Sequence, residues 1–159
     1  MIKIKIITLG KLKEKYLRDA AEEYIKRLSA YSNLEIIELS PEKLSDNPSK
    51  KEVDNALERE AELIFKKVPN GSKIIVLCVE GKEISSEAFA ENIKSFSAVG
   101  TPLCFVIGSS YGLSDKVKNA ADIKMSVSKM TFPHQLFRIM LLEQIYRAFK
   151  INEGSTYHK

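Results

Sequence analysis

The chain has no tryptophan, two histidines and two cysteines in 159 residues. Cys78 and Cys104 lie in separate apolar runs with no Cys-x-x-Cys spacing, so they read as buried free thiols, neither a disulfide nor half of a metal site. Two histidines are too few for a structural zinc centre, and no metal is expected. No apolar run approaches the ~20 residues that span a bilayer. The N-terminus alternates Ile2, Lys3, Ile4, Lys5, Ile6, which is a strand pattern and not a signal-peptide core. These absences point to a reducing, cytoplasmic setting with no membrane partner. Charge is also modest: a net +4 permits an anionic partner without demanding one. What remains, 44% apolar and 29% charged, suffices for one core, and a single domain over residues 1–159 is expected. No internal repeat or low-complexity tract interrupts it.

The periodicity predicts strands alternating with helices. Ile2 to Leu9 reads as a strand, followed by an amphipathic helix from Lys13 to Leu28. A strand from Leu34 to Leu39 leads into a polar loop, Ser40 to Ser49, with Pro41 and Pro48. A second amphipathic helix covers Glu52 to Val68. The apolar run from Lys73 to Val79 predicts a strand covered on both faces. Ser85 or Ser86 caps a third helix, and Leu103 to Ile107 is another unbroken apolar strand. Ser114 caps a short helix before a strand from Ile123 to Val127. The last helix starts with Thr131 as cap and Pro133 in the first turn, and reaches Phe149 or Lys150. This alternation predicts an α/β sandwich around a mostly parallel sheet. Ligands of such sheets bind beyond the carboxyl ends of the strands, here after Val79, Ile107 and Val127.

Several stretches could carry chemistry. Gly108-Ser-Ser-Tyr-Gly112 is either a tight connection or a loop that lets backbone approach a ligand. It is not the Gly-x-Gly-x-x-Gly dinucleotide fingerprint. The turn from Val127 to Phe132 holds successive backbone groups that must find partners, either within the turn or on a bound molecule. His134, near a helix N-terminus, is expected to be neutral, and is either a packing residue or a proton acceptor. Apolar side chains surround the last helix, yet Glu143 and Arg147 sit within it four apart and can pair. The basic face formed by Lys11, Lys13, Lys15, Arg18, Lys26 and Arg27 is either solvated or turned toward RNA. The tail Tyr157-His158-Lys159 either frays or stacks on an unpaired base.

Thr131-Phe-Pro-His134, then Arg138, then Leu142-Glu-Gln-Ile-Tyr-Arg-Ala-Phe149 and the terminal Tyr157-His-Lys159 resemble the RlmH (YbeA-like) family of SPOUT-class methyltransferases. The likeness covers essentially the whole chain and is most specific from Phe105 onward. It implies a C-terminal trefoil knot that nothing in the periodicity shows. It implies methylation of N3 of a pseudouridine, position 1915, in 23S ribosomal RNA of the assembled ribosome. The methyl donor would be S-adenosyl-L-methionine, contacted by Leu77, Gly108, Val127, Ser128, Lys129, Met130, Thr131 and Phe132. His134, Glu143 and Arg147 would form the catalytic set, with Glu143 and Arg147 bracing the site. Arg138, Tyr157, His158 and Lys159 would meet the RNA, and the protein would be a homodimer packed through its last helix. Two positions depart from the family. Ser109 stands where a second glycine is usual, and a side chain there would narrow the pocket. Lys159 stands where arginine is common, keeping the charge but losing the planar fork. Two rival readings stay open: a non-catalytic RNA- or ribosome-binding α/β protein, and a generic nucleotide-binding α/β enzyme.

Overall fold

The structure, a computed structural model, describes residues 1–159. Five strands and five helices alternate: β1 Ile2–Leu9, α1 Lys15–Leu28, β2 Ser32–Leu39, α2 Lys50–Lys67, β3 Lys73–Glu83, α3 Ser86–Ala98, β4 Leu103–Ile107, α4 Asp115–Ala120, β5 Ile123–Ser126 and α5 His134–Asn152. Every strand pair is parallel, in the order β2-β1-β4-β3-β5. This is the α/β architecture that the alternation predicts. No helix is long and apolar enough to cross a membrane.

Side-chain alternation along the strands sorts residues between two faces. On one face Ile4, Ile6 and Phe105 join Leu17, Phe89, Leu141 and Ile145 from α1, α3 and α5 in the larger core cluster. On the other, Ile7, Leu9 and Val106 meet Ala61, Ile64 and Val117 from α2 and α4. β4 sits mid-sheet between β1 and β3, and all five of its residues are buried. Cys78 and Cys104 are free thiols, and burial pushes Cys104 up to about 11, which leaves it an inert core residue at neutral pH.

Helix starts follow their serines. Ser49, Ser85 and Ser114 accept the backbone N–H of Glu52, Ala88 and Val117 at 3.1, 3.0 and 3.2 Å. Ser85 is thus the cap of α3, while the Ser86 hydroxyl donates to Gln144 on α5. The start of α5 differs from the sequence reading. Thr131 is exposed and caps nothing, Pro133 takes an extended ψ of 136°, and His134 is the first helical residue. The Pro133 carbonyl accepts the first bonds, from Leu136 and Phe137. The helix also runs further than expected, to Asn152. Gly154 at φ +74° closes it there by letting Glu153, Gly154 and Ser155 donate to the last carbonyls.

β3 also departs from expectation. It does not end at Val79 but bulges over Cys78–Gly81 and resumes, so that Leu77 and Lys82 both register with Met125. Gly81 permits this return: a Cβ there would lie 2.6 Å from the Met125 carbonyl carbon. The strand is covered on both faces, with Ile75 in one core cluster and Val76 in the other, and only its end departs: the outward bulge leaves Val79 56% exposed. α5 packs between α1 and α3, and within the single chain none of its residues from His134 to Ile151 is fully exposed.

Candidate active site

Three loops converge beyond the carboxyl ends of β3, β4 and β5, around a cavity of about 440 Å³. The β3 bulge supplies Leu77 to Glu80, the β4–α4 loop supplies Gly108 to Leu113, and the segment after β5 supplies Ser126 to Ser128 and Thr131 to His134. Its size is that of a small-molecule site. The β4–α4 loop is both a tight connection and a cavity wall. Gly112 N–H donates to the Ser109 carbonyl at 2.9 Å, folding the loop back over Gly108. A Cβ on Gly108 would run into Gly112, 2.7 Å from its carbonyl carbon, and would lie 2.9 Å from Leu113 Cγ.

The turn after β5 is partly self-satisfied. Ser126 Oγ donates to the Ser128 carbonyl, and Ser128 Oγ accepts the Met130 N–H. The N–H groups of Lys129, Thr131 and Phe132 make no backbone hydrogen bond within the chain. Of the residues expected to contact a methyl donor, Leu77, Gly108, Val127, Ser128, Thr131 and Phe132 line the cavity. Lys129 and Met130 do not. Both point outward, with Met130 73% exposed.

His134 stands between this cavity and a second one of about 430 Å³, walled by the end of β1, the loop after β2, α2 and the β4–α4 loop. His134, Ser109, Ser110 and Tyr111 border both. Gly10 takes φ +114°, a conformation that favours glycine, and sits against the ring: a Cβ there would lie in ordinary contact, 3.7 Å from His134 Nε2. Burial, then the charges of Arg138 and Lys13, hold the imidazole below its ordinary 6.5, so the ring is neutral at pH 7.

Arg138 lies one turn along α5 and is 6% exposed. Its guanidinium donates to Glu38 at 2.7 Å, and to Thr8 Oγ1 and the Gly10 carbonyl at 2.9 Å each. It therefore faces the ends of β1 and β2, bracing the Gly10 turn beneath His134, and does not present itself to RNA. Arg138→Met is expected to lower unfolding free energy by about 2 to 3 kcal/mol, because it strands the partly exposed Glu38 and the buried Thr8 hydroxyl. Urea denaturation reads this directly.

The remaining expected residues gather elsewhere. Glu143 and Arg147 sit about 14 and 20 Å along α5 from His134 at the helical rise. Glu143 Oε1 accepts from Arg147 Nη2 at 2.7 Å and from the Tyr157 hydroxyl at 3.0 Å. The Arg147 guanidinium lies 4.8 Å from the Tyr157 ring centroid and 3.1 Å from His158 Nδ1. His158 Nε2 approaches Glu87 at 2.8 Å. Burial, then the Glu143 carboxylate, pushes the Tyr157 hydroxyl up to about 12. The tail is thus docked on its own chain as far as His158, and only Lys159 is exposed. Within one chain, His134 and the Glu143–Arg147 pair are two separate clusters.

Sequence reasoning missed Glu38, Thr8 and Glu60 as site residues. Glu60 is 4% exposed on the wall of the second cavity. A signal for it existed: Glu60 continues the apolar stripe Val53, Leu57, Ile64 at helical spacing, so it must face inward.

An all-parallel sheet whose last three strand ends enclose a cavity of small-molecule size, with a neutral imidazole at its border, defines an α/β protein with its cavity where ligands of such sheets bind. The model of the predicted SPOUT methyltransferases matches residues 2–158, and the chain belongs to that family. It is 49% identical over 159 residues to the ribosomal RNA large subunit methyltransferase H of Lactococcus lactis subsp. cremoris, an alignment covering 99% of this chain and all of that one. A protein of the same name from Clostridium perfringens is 52% identical over 157 residues, covering 98% of this chain and 99% of the relative. Among solved structures, a probable methylase family protein from Haemophilus influenzae Rd KW20 is similar in fold, with a TM-score of 0.58 at 14% identity over 98% of this chain and 70% of that one.

Proposed function

We propose that the protein methylates N3 of a pseudouridine in 23S ribosomal RNA, position 1915 by likeness to its relatives, using S-adenosyl-L-methionine in the cavity at the ends of β3, β4 and β5. The observation that carries this reading is the cavity itself. Its β4–α4 wall tolerates no side chain at Gly108, its β5 wall offers unpaired backbone donors at Thr131 and Phe132, and it opens onto a neutral histidine. These features fit a nucleoside ligand held largely by backbone. Leu77, Gly108, Val127, Ser128, Thr131 and Phe132 would hold it, and when bound it supplies a methyl group activated on a sulfonium.

The chain's own work is then positioning and proton removal. N3 of the base carries an imino proton and is a poor nucleophile until that proton leaves. His134, neutral and at the border of the two cavities, is the acceptor or the group that orients the base. Holding N3 in line with the methyl carbon supplies a further share of the rate. Arg138 fixes the Gly10 turn against which the imidazole rests. No metal is required.

The same reading makes the protein a cytoplasmic, single-domain homodimer paired antiparallel through α5, with the C-terminal trefoil knot of its class. Antiparallel pairing brings one subunit's Glu143, Arg147, Tyr157, His158 and Lys159 toward the other's His134, which would reunite the two clusters. A net charge of +4 favours recognition of an assembled ribosomal particle by shape over tight binding of free RNA. Mass mapping of 23S ribosomal RNA from cells lacking the protein is expected to show one pseudouridine short by one methyl group, restored by the wild-type chain. An unchanged methylation pattern would favour the non-catalytic ribosome-binding alternative.

A further inference from the structure

The second cavity is unused by the reading above except for the wall it shares. It holds a buried acid. Glu60 Oε2 accepts the Glu42 N–H at 2.9 Å, and Oε1 accepts from Ser109 Oγ at 3.3 Å. Ser109 borders both cavities, so Glu60 sits one side chain away from the cofactor cavity and in the same chamber as His134. Two contacts leave roughly half of a carboxyl group's four lone-pair positions free. The outer rim carries Lys11 and Lys13, both exposed and in no ion pair, against the exposed carboxylate of Asp46, while the Glu42 carboxylate is engaged by Arg59 at 3.2 Å. A chamber with basic residues at its mouth and an acceptor on its wall, opening beside a methyl-donor site, is shaped for a nucleotide whose phosphates stay outside and whose base enters.

We infer that the second cavity receives the target base and that Glu60 reads its N1–H. This rests on the reading that the substrate is a pseudouridine. In uridine N1 bears the ribose. In pseudouridine the ribose is on C5, so N1 carries a hydrogen on a different ring edge from N3. An enzyme that selects the isomer needs an acceptor for that one extra donor, held away from water. A buried acceptor strongly rejects the analogue that leaves it unpaired. Glu60 is such a group, and Ser109, where the family more often has glycine, ties it to the cofactor loop.

Burial raises the Glu60 carboxyl above its ordinary 4.5. A raised folded-state value contributes stability below pH 4.5 that is lost as pH rises through it, so near pH 7 the acid costs stability. Glu60→Gln keeps an oxygen for the Glu42 N–H and removes that cost. The variant should melt no lower than wild type at pH 7, which separates loss of function from loss of fold.

The test compares large ribosomal subunits from cells lacking this protein with subunits from cells that also lack the pseudouridine synthase, so that uridine occupies the same position. Wild type is expected to prefer pseudouridine by at least about 100-fold in kcat/KM, and Glu60→Gln to lose about 10-fold or more of that preference, with S-adenosylmethionine affinity within about 2-fold. Ser45→Trp, on the exposed loop lining the cavity, should block transfer while sparing cofactor binding. An unchanged preference in Glu60→Gln, an equal loss on both kinds of subunit, or full transfer by Ser45→Trp overturns the inference alone. A wild-type chain that methylates neither overturns the functional reading beneath it.

Discussion

Gly108→Ala is expected to weaken S-adenosylmethionine binding by about 100-fold or more, because the loop that walls the cavity cannot keep its shape. The added methyl group would overlap the Gly112 carbonyl and press on Leu113, which is itself buried. Gly112 backbone is held by its bond to Ser109, so it cannot yield without opening the loop. The loop must therefore move into the cavity or away from it. Calorimetric titration reads the affinity, and a thermal melt separates local from global damage. Affinity within about 3-fold of wild type would show that this wall does not touch the ligand.

His134→Ala should lower methyl transfer by about 10² to 10⁴ while leaving S-adenosylmethionine affinity within about 3-fold. The imidazole is at the border between the two cavities, so most cofactor contacts should survive its loss. The pH profile adds a second readout. The working form is the neutral ring, and its folded-state value is held below 6.5 by burial and by Arg138 and Lys13. Wild-type activity should therefore fall with acid only below pH 6.5, and His134→Ala should lose that limb. If transfer and profile both stay normal, His134 is a packing residue.

Much of this was legible from residues alone. Strand β4 is five consecutive apolar residues and is fully buried, as its run requires. Ser85 and Ser114 mark helix starts because a hydroxyl before a helix has one favourable use, whereas Ser49, which reads as loop, caps α2. The convergence of the last three strand ends follows from parallel order and needs no side-chain detail. What was not legible depends on contacts between distant segments. The β3 bulge exists because Gly81 lies against Met125, 44 positions away in sequence. Arg138 looked available for RNA because a motif says which residues share a helix, not which strand ends that helix crosses. Here it crosses Thr8, Gly10 and Glu38, and the guanidinium is consumed there. Glu143 and Arg147 were correctly paired by their spacing, but helix length sets them far from His134. The mutual docking of Tyr157 and His158 on that pair had no local signal at all.

The most direct measurement is calorimetric titration of S-adenosylmethionine into the purified wild-type chain. One ligand per subunit with micromolar affinity is the predicted result. Absence of binding at millimolar ligand would contradict the assignment of the cavity, and the methyl transfer with it.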